Sequence, residues 1–179
     1  MEYPSTIVYK FSDQEVQSIT DEIMSVPDNW WRPHFTGEYE RTGALRSGKT
    51  VWLRNIDREC NITFDRSDQM PVSRAVIEKF AGGLDYGRAY WHRIPSGGGI
   101  DAHQDQQLGF SDKIRHRYQI YLNIPAGVEC VIDNGAFDAS TLGNCLLDFN
   151  MYMTHEYKNH SHEDFVFMVF DIFKHGNKI

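Results

Sequence analysis

The chain has 179 residues, a formal net charge of −7, and 41% hydrophobic against 24% charged residues. A chain of that length buries a core without disulfide or metal staples, and its balance is that of an ordinary globular protein, not of a disordered one. The acidic excess argues against sequence-independent nucleic-acid binding, which needs a basic surface. Cys60, Cys130 and Cys145 are odd in number and lack a Cys-x-x-Cys spacing. They are expected as free thiols in a reducing compartment, the cytoplasm. The start, MEYPSTIVYKF, has neither a basic region nor a long apolar run, so no signal peptide is expected. No stretch reaches the length of a membrane span.

Ile7 to Phe11 predicts a short strand. Ser12-Asp13-Gln14-Glu15 is a capping-box pattern, and Val16, Ile19, Ile23 and Met24 follow at helical spacing up to about Pro27. Trp30 and Trp31 come next, either as core packing or as a pocket wall. Residues 32–68 have little period, apart from a predicted strand at Val51-Trp52-Leu53. Arg41, Arg46, Lys49, Arg54 and Arg58 make this the most basic stretch, either a solvated face or an anion-binding rim. Asp68 to Phe80 predicts a second helix with Pro71 in its first turn, ended by Gly82-Gly83.

From there strand signals succeed one another: 86–94, 100–105, 115–124, 129–133, 144–149, 151–157 and 164–173. Helices followed by a run of strands predict one domain, mainly β with buttressing helices. The expected architecture is a double-stranded β-helix, or jelly roll, with a helix-containing part over 1–85 and the barrel core over 86–174. Such a barrel leaves a cavity at its mouth.

The candidate site is Ala102-His103-Gln104-Asp105 with a later His. Two residues apart on an extended segment, His103 and Asp105 point the same way. A second His completes the two-His-one-carboxylate face that leaves positions open on non-heme Fe(II). His155 is the favoured distal ligand; His160 and His162, in the polar connection after it, are the alternatives. Two features support the pattern. A glycine-rich loop, Pro95-Ser96-Gly97-Gly98-Gly99, precedes it. A strand with Arg115, Arg117, Gln119, Tyr121 and Asn123 in alternation follows it, and a polar face on a central strand must line something wet.

Ile94 to Phe173 resembles the aspartyl/asparaginyl β-hydroxylase branch of the Fe(II)/2-oxoglutarate oxygenases, which have a cupin-like jelly-roll fold. The resemblance rests on five segments. They are Pro95–Ile100 with His103, Arg117-Tyr118-Gln119-Ile120-Tyr121-Leu122-Asn123-Ile124-Pro125, Gly143–Phe149, His155-Glu156-Tyr157-Lys158-Asn159 and Phe165–Phe173. It implies an enzyme that uses iron, 2-oxoglutarate and O2 to hydroxylate an unactivated C–H of an amino acid, a peptide or protein side chain, or a small metabolite. His103, Asp105 and His155 are the implied metal ligands and catalytic centre. Arg117, Gln119 and Tyr121 are the implied co-substrate residues. Tyr90 and His92 are further pocket candidates, and Glu156 or Asn159 would orient His155.

Two departures stand out. Known members of the branch leave the carboxylate position empty; here Asp105 fills it, which argues against halogenation. The Arg expected ten residues after the distal His, to hold the far carboxylate of 2-oxoglutarate, is Phe165. Arg117 is then the expected anchor, with Arg115, His160 or His162 as fallbacks, since a dicarboxylate needs a charge partner. Two other readings stay open: a cupin-like metal-binding protein without 2-oxoglutarate turnover, and an iron enzyme with another co-substrate.

Overall fold

Ser12 closes the first helix as its sequence demands. Its side chain accepts from the Glu15 backbone N–H, and Glu15 accepts from the Ser12 N–H at 2.9 Å. That backbone bond, with help from Lys79, holds the Glu15 carboxyl down at about 2. The structure, a computed structural model, describes residues 4–33, 48–57, 59–105, 111–135 and 137–174. Arg41, Arg46 and Arg58 of the basic stretch lie outside them.

The elements in order are β1 (Thr6–Lys10), α1 (Asp13–Met24), β2 (Arg32–Pro33), β3 (Lys49–Ile56), β4 (Ile62–Asp65), α2 (Pro71–Ala81), β5 (Tyr86–Ile94), β6 (Gly99–His103), β7 (Ile114–Tyr121), β8 (Val128–Ile132), α3 (Ala139–Leu142), β9 (Cys145–Phe149), β10 (His155–Asn159) and β11 (Phe165–Phe173). The fold is mainly β, with antiparallel strands in two sheets and helices against one of them. The larger sheet runs β1-β9-β7-β11-β5-β3-β2, with β4 also on β3; the smaller is β6-β10-β8.

One face of the larger sheet carries Val51, Trp91, Met168, Ile120 and Leu146, and packs against Val16, Ile19 and Ile23 of α1 and Ile77 of α2. Its other face meets the smaller sheet, with Leu147, Phe149, Phe165, Phe167 and Val169 against Ile100, Cys130, Ile132 and Tyr157. This is the double-sheet arrangement expected of a jelly roll. α2 begins on Pro71, whose missing N–H costs nothing there, and ends on Gly82 at φ 59°. Trp31 is buried in the helix-side core beneath Arg93, and Arg66 covers Trp30. Neither tryptophan reaches the cavity between the sheets.

Several boundaries differ from expectation for identifiable reasons. β4 is exposed along its whole length at a sheet edge, so it carries no alternation to read. β6 ends at His103, because the Asp105 N–H turns away to the Met151 carbonyl at 2.9 Å. β7 stops at Tyr121, before Asn123 adopts φ 42° and donates its N–H to the Asn144 side chain.

Ser12→Ala removes one cap bond and is expected to cost about 1 kcal/mol. The melting temperature should fall by about 2–4 °C, measured by thermal unfolding; an unchanged value means the cap contributes nothing.

Candidate metal centre

Three side chains converge between the sheets. His103 closes β6 and His155 opens β10, and the ladder sets them directly opposite each other. Their rings are 4.0 Å apart between centroids. Each ring is turned by its own backbone. His103 Nδ1 lies 2.8 Å from the Asp101 carbonyl, and His155 Nδ1 lies 3.3 Å from the Met153 carbonyl. With the proton on Nδ1, both Nε2 atoms keep a lone pair for a metal. Asp105 comes from the turn after β6, its Oδ1 3.3 Å from His103 Nε2 and its Oδ2 3.9 Å from His155 Nε2. One ligand atom from each of the three residues falls within 4.8 Å of the others.

The environment favours a ligand set. Burial raises the Asp105 carboxyl, but the Arg117 guanidinium and the two histidines outweigh it and hold it well below the usual carboxylate range. Burial pushes His155 down to about 4 against the pull of Asp105, so its imidazole is neutral and able to coordinate. An ionised carboxylate, the neutral His155 imidazole and the His103 ring oriented by the Asp101 carbonyl match the donor set of an iron(II) facial triad.

The sequence matches the family described as aspartyl/asparaginyl β-hydroxylase over residues 13–175. The chain belongs to that family. It is therefore a hydroxylase of the Fe(II)/2-oxoglutarate class, and His103, Asp105 and His155 fit the iron. No curated protein sequence matches the chain. Solved structures share its fold at low identity. An oxidoreductase of the 2OG-Fe(II) oxygenase family from Burkholderia pseudomallei has a TM-score of 0.64 and 14% identity, over 96% of this chain and 84% of that one. A prolyl hydroxylase from Trichoplax adhaerens, in complex with a peptide fragment of the hypoxia-inducible factor oxygen degradation domain, has a TM-score of 0.67 and 12% identity, over 95% and 83%. A Pseudomonas putida prolyl-4-hydroxylase has a TM-score of 0.57 and 16% identity, over 97% and 94%.

Beside the three ligands this hydroxylase has a small cavity open to solvent, walled by Tyr90, His92, Gln119, Tyr157, Phe167 and Val169. Tyr90 and His92 thus stand where the sequence places them, and His92 Nδ1 is 3.2 Å from Thr50 Oγ1. Gln119 lines the cavity. Tyr121 sits behind it; its hydroxyl and that of Tyr157 both donate to Gln119 Oε1 and lie 3.0 Å apart. Burial pushes both phenols well above their usual value, so they stay protonated donors. Phe165 is fully buried and stacks on Tyr121. No Lys or Arg lines the cavity among the described residues.

Arg117, the expected co-substrate anchor, is fully buried and engaged by carboxylates: Nε and Nη2 donate to Asp171 at 2.7 and 2.9 Å, and Nη1 donates to Asp105 at 2.6 Å. Arg115 is exposed. His162 is exposed and His160 lies near Glu129, so neither joins the metal cluster. Asn159 does not orient His155. Its amide donates to the Ile94 and Glu163 carbonyls and its oxygen accepts from Ser161, which clamps the loop before β11. Glu156 is paired with Lys158 instead. Asp171 and Tyr157 are the residues that sequence reasoning misses. A lone Asp in the apolar run Phe165–Phe173 is the available signal, because a buried carboxylate needs a partner.

His103→Ala and Asp105→Ala should each weaken Fe(II) binding by an order of magnitude or more, read by anaerobic titration; retained affinity means other ligands. A second outcome concerns acid. Between pH 6.5, the ordinary value, and about 4 the unfolded chain binds a proton that folded His155 refuses, so metal-free stability falls as pH drops through that window. The loss is on the order of 3 kcal/mol. Non-titrating His155→Gln should show a flatter pH slope of stability there, by denaturant unfolding; parallel slopes refute the assignment.

Proposed function

We propose that residues 1–179 form a single oxygenase domain that hydroxylates an unactivated C–H of an amino acid, a peptide or protein side chain, or a small metabolite. The observation that carries the reading is the oriented His103–Asp105–His155 set opening onto a cavity between two sheets. When bound, iron and 2-oxoglutarate supply the oxidising chemistry: O2 is consumed, 2-oxoglutarate is converted to succinate and CO2, and one oxygen atom enters the substrate.

The protein's own residues would do the rest. His103 and His155 would offer their Nε2 atoms, the rings being held by the Asp101 and Met153 carbonyls. Gln119, with Tyr121 and Tyr157, would receive the far end of the co-substrate through neutral donors, after rotation of the phenol hydrogens or the amide. Phe165 and Phe167 would exclude water there, which strengthens each hydrogen bond. Charge supports a dicarboxylate: Arg88 and Arg117 offset Asp171 and Asp105, so a bound iron(II) leaves two positive units for 2-oxoglutarate to cancel. Tyr90, His92 and Trp52 would face the substrate; Trp52 and Tyr90 are in ring contact at 4.7 Å. A peptide fits with the Trichoplax adhaerens enzyme's own complex. No helix among the described residues is long and apolar enough to cross a membrane.

One observation favours a second reading, an iron enzyme of the same fold with a different 2-oxo acid: Phe165 and the absence of a lining Lys or Arg among the described residues.

Succinate formation from 2-oxoglutarate, dependent on Fe(II) and O2, separates the two. Turnover with pyruvate-like oxo acids but not with 2-oxoglutarate would select the second. For the anchor, Tyr121→Phe should raise the KM for 2-oxoglutarate about tenfold with a smaller change in kcat, the loss of one hydrogen bond to a charged group. An unchanged KM places the far carboxylate elsewhere.

A further inference from the structure

Asp105 differs from the two histidines in how it is held. Each His stands on a ladder residue of the smaller sheet, paired to the other. Asp105 lies past the end of β6, outside the ladder, and its N–H donates to the Met151 carbonyl. Its carboxylate could swing about χ1 and χ2, and a free carboxylate can offer a metal either one oxygen or both.

Arg117 removes that freedom. Asp171 and Arg117 are direct ladder partners on β11 and β7. Their two-pronged bond fixes the plane of the guanidinium, and Arg88 holds the same carboxylate at 3.3 Å. A rigid planar fork has no further choice, so Nη1 points at Asp105 Oδ2, 2.6 Å away. Oδ1 is left facing His103 Nε2.

We propose that Arg117 is a positioning residue for the carboxylate ligand: anchored by Asp171, it occupies Oδ2 of Asp105 and so restricts Asp105 to one metal-binding oxygen. Single-oxygen ligation keeps vacant the positions that a chelating oxo acid and O2 require. Arg117 thereby serves the co-substrate by keeping its place open, through Asp105.

The inference rests on His103, Asp105 and His155 as ligands, and the test separates the two claims. Co(II) serves as the probe, with affinity and visible absorption as readouts that need no turnover. Arg117→Lys keeps a buried cation but loses the fork. It should weaken Co(II) roughly 10–100-fold and change the band shape as the coordination number rises; wild-type affinity and spectrum overturn the proposal. If Asp105→Gly also binds Co(II) as wild type does, the ligand assignment itself fails. A gain of function then isolates Arg117. In Asp105→Gly the guanidinium faces an empty carboxylate place, so millimolar formate should restore Co(II) affinity at least tenfold. In the double variant Asp105→Gly/Arg117→Lys formate should restore nothing. A purely structural Arg117 predicts no formate effect in the single variant, or the same effect in both, and either result overturns the proposal.

Discussion

A guanidinium buried between two carboxylates is the interaction on which the interior between the sheets depends. Burial lowers the charged state of Arg117, yet Asp171 and Asp105 more than reverse this and raise its pKa. The chain of charges cannot be shortened at one end. Removing one partner of a buried pair typically costs about 3–5 kcal/mol, because a charge is left uncompensated. An apolar replacement of the whole set need not be less stable. Stability is therefore a poor explanation for its presence. Geometry is a better one: the set ties the central pair of the larger sheet to the one metal-ligand candidate that no ladder holds.

This arrangement explains why β7 must be polar on one face. Arg117, Gln119 and Tyr121 alternate inward, while Tyr118, Ile120 and Leu122 pack towards the helices. That alternation is legible in the sequence, since period two survives wherever one face is buried and the other lines a cavity. The helices are legible for a similar reason: Ser12, Glu15, Pro71 and Gly82 mark termini whose backbone requirements are local. The metal triad is legible because His103 and Asp105 are close in sequence. Asp105 joins His103 through a turn bonded to Met151 and not through strand alternation.

What could not be read is what depends on pairing across distance. Asp171 and Arg117 are 54 residues apart, and the bond between them redirects Arg117 from the co-substrate to the metal ligand. A sequence shows that Arg117 needs an anion, not which anion it meets. The same holds for Asn159, which suits a ligand-orienting role by proximity to His155 yet bonds the end of β5 at Ile94 and, through Ser161 and Glu163, the turn before β11. β2 and β4 carry no signal because one is two residues long and the other is exposed at every position.

The far end of the cavity follows from Phe165. A guanidinium there would need a counter-charge in every state without co-substrate, and the neighbouring side chains, Tyr121, Tyr157 and Phe167, offer none. Phe165 instead stacks on Tyr121 and Phe167, and the polar demand shifts to two phenols and one amide that satisfy each other. Such a trio is closed when nothing is bound and can open only by exchanging its internal hydrogen bonds for those of a ligand. If the far carboxylate of the co-substrate is received here, as proposed, each bond it gains replaces one within the trio, and shape and the charge of the metal centre would share in discriminating among oxo acids. The aromatic floor and the buried arginine are thus complementary: Phe165 on β11 carries no charge, and the buried cation beside the metal-ligand candidates is Arg117 on β7, bonded to Asp105.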